Sequence, residues 1–258
     1  MGRYKIRGTG EWRCVLLGML ALLLGCSQPS STPTKTVVPT PVDPATAGKI
    51  QVDVRYSGIV PTPKPLDMRS AALCAASHAE PVKAESFLVQ DGHLANAVVW
   101  IKTGLEGWVF APPSAPVVID QKGCTYQPHV ATAMVDQSVE FVNSDREAHN
   151  VHGHPDVVTA WNFLLSQPGA SRTLTFDRPE VAIPVGCDIH PWMRGYLAIT
   201  PNPYAAVTPL SGAVTLSPVP PGKYVIAAWH ETLGTTEQSV TLEPSGSVNV
   251  QLTFAGNG

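Results

Sequence analysis

Residues 187–193 place three metal-binding side chains in one short loop. They are Cys187, His190 and Met193, which offer a thiol, an imidazole and a thioether at successive spacings of three. Thiolate and thioether sulfur are soft donors and imidazole is a borderline one, so this set suits copper. A second imidazole, that of His149, follows the alternating stretch 139–142. These four residues are the candidate ligands of one copper ion.

Each of these residues has a plainer interpretation when it is taken alone. A buried cysteine usually behaves as a small hydrophobe, and a methionine usually fills space in a core. The combination of all three residue types in one loop, with a histidine after an earlier strand, favours ligation instead. Zinc is disfavoured because its sites use strong ligands in a tetrahedron, and a thioether is a weak ligand.

Two segments of the chain resemble the cupredoxins, the type 1 blue copper proteins, and among them the amicyanins and plastocyanins. These segments are the Cys-x2-His-x2-Met loop and the His-Asn-Val-His that begins at His149, and the similarity spans roughly residues 117–200. The resemblance implies a Greek-key β-sandwich that holds one type 1 copper through His149, Cys187, His190 and Met193. It also implies single-electron transfer between redox protein partners and no enzymatic activity.

The two-residue period of a strand separates the side chains that follow His149. His149 and Val151 are expected on the inner face, and Asn150 and His152 on the other. His152 is therefore not expected to bind the metal. Asn150 is a candidate to tie the two ligand segments together from outside the ligand set, as groups next to metal ligands often do.

The loop between Cys187 and Met193 also predicts where electrons enter and leave. His190 lies between the sheets, so its edge is expected to be the most exposed part of the ligand set. Pro191 and Trp192 would then form an apolar patch around this edge, on which a redox partner docks.

The N-terminus predicts secretion and a lipid anchor. Residues 1–25 carry four basic residues followed by an apolar run, which is typical of a signal peptide and short for a membrane span. The run ends in Leu23-Leu24-Gly25-Cys26, similar to a bacterial lipobox, so Cys26 is expected to carry lipid on the extracytoplasmic side of the membrane. A conventionally cleaved or uncleaved signal is the alternative. Residues 26–47, rich in Pro, Ser and Thr, would form a tether or a glycosylated stalk.

The charge of the remaining chain argues against nucleic-acid binding. Residues 1–25 hold four of the 17 basic and one of the 20 acidic residues, which leaves 13 basic against 19 acidic residues and a net charge of about −6. No basic stripe is present, so a nucleic-acid partner is not expected.

The five cysteines divide by expected role. Cys14 falls in the signal, Cys26 is the lipid site and Cys187 is the copper ligand, which leaves Cys74 and Cys124. In an oxidising compartment such a pair favours a disulfide. The alternatives are two free thiols, or a second metal site in which Cys74 joins His78 and His129.

From residue 48 onward the pattern is that of an all-β chain in three regions. Residues 48–115 and 203–256 flank the cupredoxin-like region 116–202, and only 71–77 favours a short helix. Pro221-Gly222-Lys223-Tyr224 is similar to the start of a strand in carboxypeptidase regulatory-like β-sandwich domains. The C-terminal region is short for such a domain, so we expect it to pack with residues 48–115.

Other functions remain open at this point. A copper carrier or storage protein could use the same ligands, and a binding module could keep the fold without copper. A copper enzyme would need further His-x-His motifs, and the chain has only His152-Gly153-His154. Whether His129, His152 or His230 contributes to a second site is not decided by the sequence.

Overall fold

The computed structural model describes residues 38–256. The predicted signal at 1–25, the lipid site Cys26 and the tether up to residue 37 lie outside the described residues. Within residues 38–256, no helix is long and apolar enough to cross a membrane.

The described chain folds into strands with one short helix, and the all-β prediction is confirmed. The helix, α1, is Ala72–Ala76. The strands of the first region are β1 (Gly48–Ser57), β2 (Val89–Gln90), β3 (His93–Leu94) and β4 (Val98–Thr103). Those of the middle region are β5 (Val117–Gln121), β6 (Tyr126–Gln127), β7 (Val130–Met134), β8 (Val139–Asn143), β9 (His149–Gly153), β10 (Trp161–Leu165), β11 (Ser171–Leu174), β12 (Glu180–Gly186) and β13 (Arg194–Thr200). Those of the last region are β14 (Ala205–Val207), β15 (Ala213–Val219), β16 (Gly222–His230), β17 (Gly234–Leu242) and β18 (Ser247–Ala255).

The middle region forms one β-sandwich, which we call the central sandwich. One sheet has the order β10-β9-β12-β13-β7 and the other has the order β11-β8-β5-β6. Between them lies an apolar core that includes Phe141, Val151, Ile183 and Leu197, each fully buried. Burying a side chain of this size contributes about 1.5–3 kcal/mol, so the two sheets are held face to face mainly by this core.

The first and last regions together form a second sandwich, which we call the terminal sandwich. One of its sheets joins β1 to β15 and, in parallel, to β18, while the other has the order β14-β4-β16-β17. Residues 48–103 and 205–255 thus supply strands to the same two sheets. The pairing is long range, because the β1 partner β18 lies about 200 residues later in the chain.

Strand β4 shows how the two sandwiches meet. Its four residues 98–101 are all buried, although a strand with one solvated face would alternate. Val99 and Ile101 belong to the core of the terminal sandwich. Val98 and Trp100 belong to a third cluster, which also contains Val130 and Ala198 of the central sandwich. Both faces of β4 are therefore covered, one by each sandwich.

Residues 65–83 lie between β1 and β2 and pack on the central sandwich. This stretch, which we call the covering segment, contains α1 and lies against the central sandwich through Leu66, Met68 and Val82. Within it, Cys74 is joined to Cys124 by a disulfide with an S–S distance of 2.02 Å. The first region therefore serves both sandwiches: its strands build one, and its covering segment packs on the other.

Candidate metal centre

Two adjacent strands bring the predicted ligands to one end of the central sandwich. His149 is the first residue of β9, and Cys187 directly follows β12. Strands β9 and β12 are antiparallel neighbours in one sheet. His190 and Met193 follow in the loop that leads to β13, and the Met193 carbonyl accepts a hydrogen bond from the Cys187 N–H at 3.2 Å. That bond closes the loop, so its side chains are held close to His149.

The donor atoms of three predicted ligands converge in the interior. Nδ1 of His149 lies 2.9 Å from Nδ1 of His190, and Sγ of Cys187 lies 3.8 Å from the same His190 atom. One donor atom from each residue falls within 4.8 Å of the others, and all three residues are buried. Metal bonds of about 2.0–2.3 Å to nitrogen and sulfur would need donor separations of this size. Met193 is also buried in this core. The donor types and spacing of His149, Cys187 and His190 fit a copper ion.

Asp145 fixes the orientation of His149, a role that the sequence analysis missed. Its Oδ2 lies 3.0 Å from Nε2 of His149, which leaves Nδ1 directed at the donor cluster. The same carboxylate accepts hydrogen bonds from the backbone N–H groups of Gly123 and Cys124, both at 2.7 Å. A carboxylate behind a ligand imidazole fixes its tautomer and raises its basicity. The sequence signal was a carboxylate four residues before His149.

The surroundings of the three side chains shift their pKa values in different directions. Burial opposes ionisation of Cys187, but hydrogen bonds from His149 and from backbone N–H groups outweigh it and lower the thiol pKa. Burial likewise lowers the pKa of His149, yet its bonds to Asp145 and Cys187 raise that pKa to about 9. The pKa of His190 is lowered, first by burial and then by the charge of His149. Cys187 is thus already inclined to the form that binds metal.

Asn150 ties the two ligand segments together. Its Oδ1 accepts the backbone N–H of Asp188 at 2.6 Å, and its Nδ2 donates to the Asp188 carboxylate at 2.8 Å. Asn162 donates to the same carboxylate at 2.9 Å. His152 contacts Asp188 through Nδ1 at 3.0 Å, away from the donor cluster. Asp188 and Asn162 were not singled out from the sequence.

The expected exposure of His190 is wrong. Only 4% of the residue is accessible to solvent. Its Nε2 lies 3.7 Å from Sγ of Cys74, so the disulfide and the covering segment close the face through which a partner would reach it. Trp192 is half-buried, and its indole N–H donates to the Cys124 carbonyl at 3.1 Å. Pro191, the other residue of the predicted docking patch, is exposed.

The residues of the alternative second metal site are engaged elsewhere. Cys74 is in the disulfide, His78 contacts the Gly123 carbonyl at 2.7 Å, and His129 pairs with Glu231. His230 is fully buried, and burial lowers its pKa to about 4. A further group of Cys124, Asp145 and His149 has donor spacing, but the sulfur of Cys124 is already bonded to Cys74.

No protein-family model matches the chain, and no curated protein matches it. Solved structures that resemble part of it include the Cu(I) form of an amicyanin mutant, with 20% identity, a TM-score of 0.30, and coverage of 39% of this chain and 97% of that one. A purple cupredoxin from Nitrosopumilus maritimus has 20% identity and a TM-score of 0.29, and covers 33% and 99%. A copper-containing nitrite reductase from Thermus scotoductus SA-01 has 25% identity and a TM-score of 0.29. It covers 38% of this chain, which spans about a quarter (24%) of the reductase.

Proposed function

We propose that this protein is a type 1 blue copper protein that passes single electrons between redox protein partners. The observation that carries the proposal is the buried convergence of His149, Cys187 and His190 at one end of a β-sandwich. A trigonal set of two imidazoles and one thiolate, with a weak thioether beside it, is the donor set of blue copper sites. Copper bound there would supply a one-electron couple.

The residues around the ligands hold the site rigid. Asp145 fixes the ring of His149, and Asn150 fixes the start of the ligand loop through Asp188. The disulfide holds the covering segment against His190. A site whose ligands cannot shift far keeps one geometry in both charge states, which suits electron transfer better than it suits release of the metal. A copper carrier or store would instead need ready release, which the cover over His190 opposes.

Lipid anchoring at Cys26 and an extracytoplasmic location are part of the proposal. They are supported by the lipobox-like Leu23-Leu24-Gly25-Cys26 and by a buried disulfide, since disulfides persist in oxidising compartments. The acidic net charge would favour basic redox partners. We propose that the protein is an electron carrier and not an enzyme.

Optical and EPR spectra of the protein loaded with Cu(II) test the proposal. We expect an intense thiolate-to-copper band in the visible region and a small copper hyperfine splitting, both lost in Cys187→Ser. His152→Gln is the matched control, because His152 adjoins the site without facing the donors. A weak Cu(II) spectrum that Cys187→Ser leaves unchanged would favour a non-redox binding module.

A further inference from the structure

A cavity lies next to the candidate metal centre, where the covering segment and both sandwiches meet. Its volume is about 360 Å³, and its walls include Leu66, Val82, Lys83, His129, Trp192 and Glu231. Met193 also reaches this wall. Pockets that hold small organic molecules begin at about 300 Å³ and combine apolar walls with a few polar groups. The cavity has the size and the composition of such a pocket.

Its apolar wall includes two aromatic side chains, Trp192 and Tyr126. The indole N–H of Trp192 is already bonded to the Cys124 carbonyl. The hydroxyl of Tyr126, also in the wall, is bonded to the carbonyls of Gly186 and Asn150 at 2.9 and 3.1 Å. Because these polar atoms already have partners, the two rings have mainly carbon atoms left to contact a ligand. Leu66 and Val82 complete a wall that suits one aromatic ring.

Its polar wall contains the hydrogen-bonded pair His129 and Glu231. Nδ1 of His129 lies 3.1 Å from the Arg194 carbonyl, which can only accept, so Nδ1 carries a hydrogen. Nε2 of His129 contacts Oε1 of Glu231, and this contact also requires a proton on one of the two atoms. The side chains are only 11% and 10% exposed. Oε2 of Glu231 receives no hydrogen bond from the described protein, so it is available to a hydroxyl donor.

The rim of the cavity carries a positive charge. Lys83 and Arg194 are exposed, and neither forms an ion pair within residues 38–256. The wall contains two carboxylates, Glu85 and Glu231, and Glu231 is already paired with His129. Two cations against one free carboxylate favour a ligand with a single negative charge.

We propose that this cavity binds a small aromatic acid with one ring and a hydroxyl group. The ring would lie against Trp192, the hydroxyl would donate to Oε2 of Glu231, and the acid group would meet Lys83 at the rim. The proposal goes beyond the electron-transfer function and does not depend on metal binding. It would place a small molecule beside Met193, in addition to any protein partner.

Calorimetric titration of the metal-free full chain with 4-hydroxybenzoate at pH 7 tests the proposal. We expect saturable binding with one site, weakened about tenfold by Glu231→Gln and by Lys83→Ala, as for loss of one hydrogen bond to a charged group. Phenol, which lacks the acid, should bind more weakly than 4-hydroxybenzoate to the unmodified chain.

Matched controls come from Glu237→Gln and Lys102→Ala, which alter an exposed ion pair on β17 and β4 away from the cavity. These variants should bind as the unmodified protein does. Should Glu231→Gln fail to fold, Lys83→Ala still decides the matter, because Lys83 is an exposed side chain. Absence of saturable binding, or binding that Lys83→Ala leaves unchanged, overturns the proposal. Because no copper is present, these results are separate from the spectroscopic test of the metal centre.

Discussion

Asp145 connects His149 of the candidate metal centre to the backbone of Gly123 and Cys124, beside the disulfide. The substitution Asp145→Asn tests that connection. Its two carboxylate oxygens accept from Gly123 N, Cys124 N and His149 Nε2. An asparagine keeps one acceptor oxygen and presents an NH₂ group in place of the other, so this new donor would face at least one of the three existing donors. The side chain of Asp145 is 14% exposed, so water replaces the lost bonds poorly.

The cost can be bounded from these contacts. A hydrogen bond to a charged group contributes about 1.5–3 kcal/mol, and the substitution removes one or two of them. We expect unfolding in urea to show a loss of about 1.5–6 kcal/mol. Copper affinity, measured by competition with a chelator, should fall about 10–100-fold, as it does when the group behind a metal-bound histidine is removed.

Asp177→Asn is the control, because that carboxylate is 82% exposed and contacts only its neighbour Arg178 within the described chain. It should change stability by less than about 0.5 kcal/mol. If Asp145→Asn behaved like this control in both assays, the role assigned to the carboxylate would be wrong.

Three further predictions concern other parts of the chain. Replacing Cys74 and Cys124 together by alanine opens a loop of 50 residues and should lower the free energy of unfolding in urea by about 4 kcal/mol. The same replacement should make His190 accessible to modification by diethyl pyrocarbonate. An unreactive His190 would contradict the claim that the disulfide and the covering segment shield it. The pKa of His230 is lowered to about 4, so the unfolded chain binds more protons between pH 6.5 and 4. Stability should fall by about 3 kcal/mol as the pH drops through that window, and His230→Leu should remove this part of the pH dependence. Cys26→Ser should move the protein from the membrane fraction to the soluble fraction, and unchanged fractionation would exclude the lipid anchor.

The convergence of His149, Cys187 and His190 could be predicted from the sequence because their arrangement is local. Cys187, His190 and Met193 share one loop, and the position of His149 follows from the period of a strand. The strand pattern of β1 is equally local: Ile50, Val52 and Val54 are buried, and Gln51 between them is exposed. Period and spacing report short-range geometry, which is why these local features can be predicted from the sequence.

The cover over His190 could not be predicted in this way. Cys74 meets His190 across 116 residues of sequence, and His129 meets Glu231 across 102. Such contacts depend on how separate elements pack, and no pattern within one segment records them. The burial of both faces of β4 has the same origin, because its outer face is covered by a sandwich formed from later strands.

X-ray absorption at the copper edge, recorded on the oxidised and the reduced protein, tests the central claim most directly. We predict one short copper–sulfur distance and two copper–nitrogen distances in both states, with little change between them, and loss of the short sulfur distance in Cys187→Ser. A coordination shell of nitrogen and oxygen only, or one rebuilt on reduction, would contradict an electron-transfer site formed by His149, Cys187 and His190.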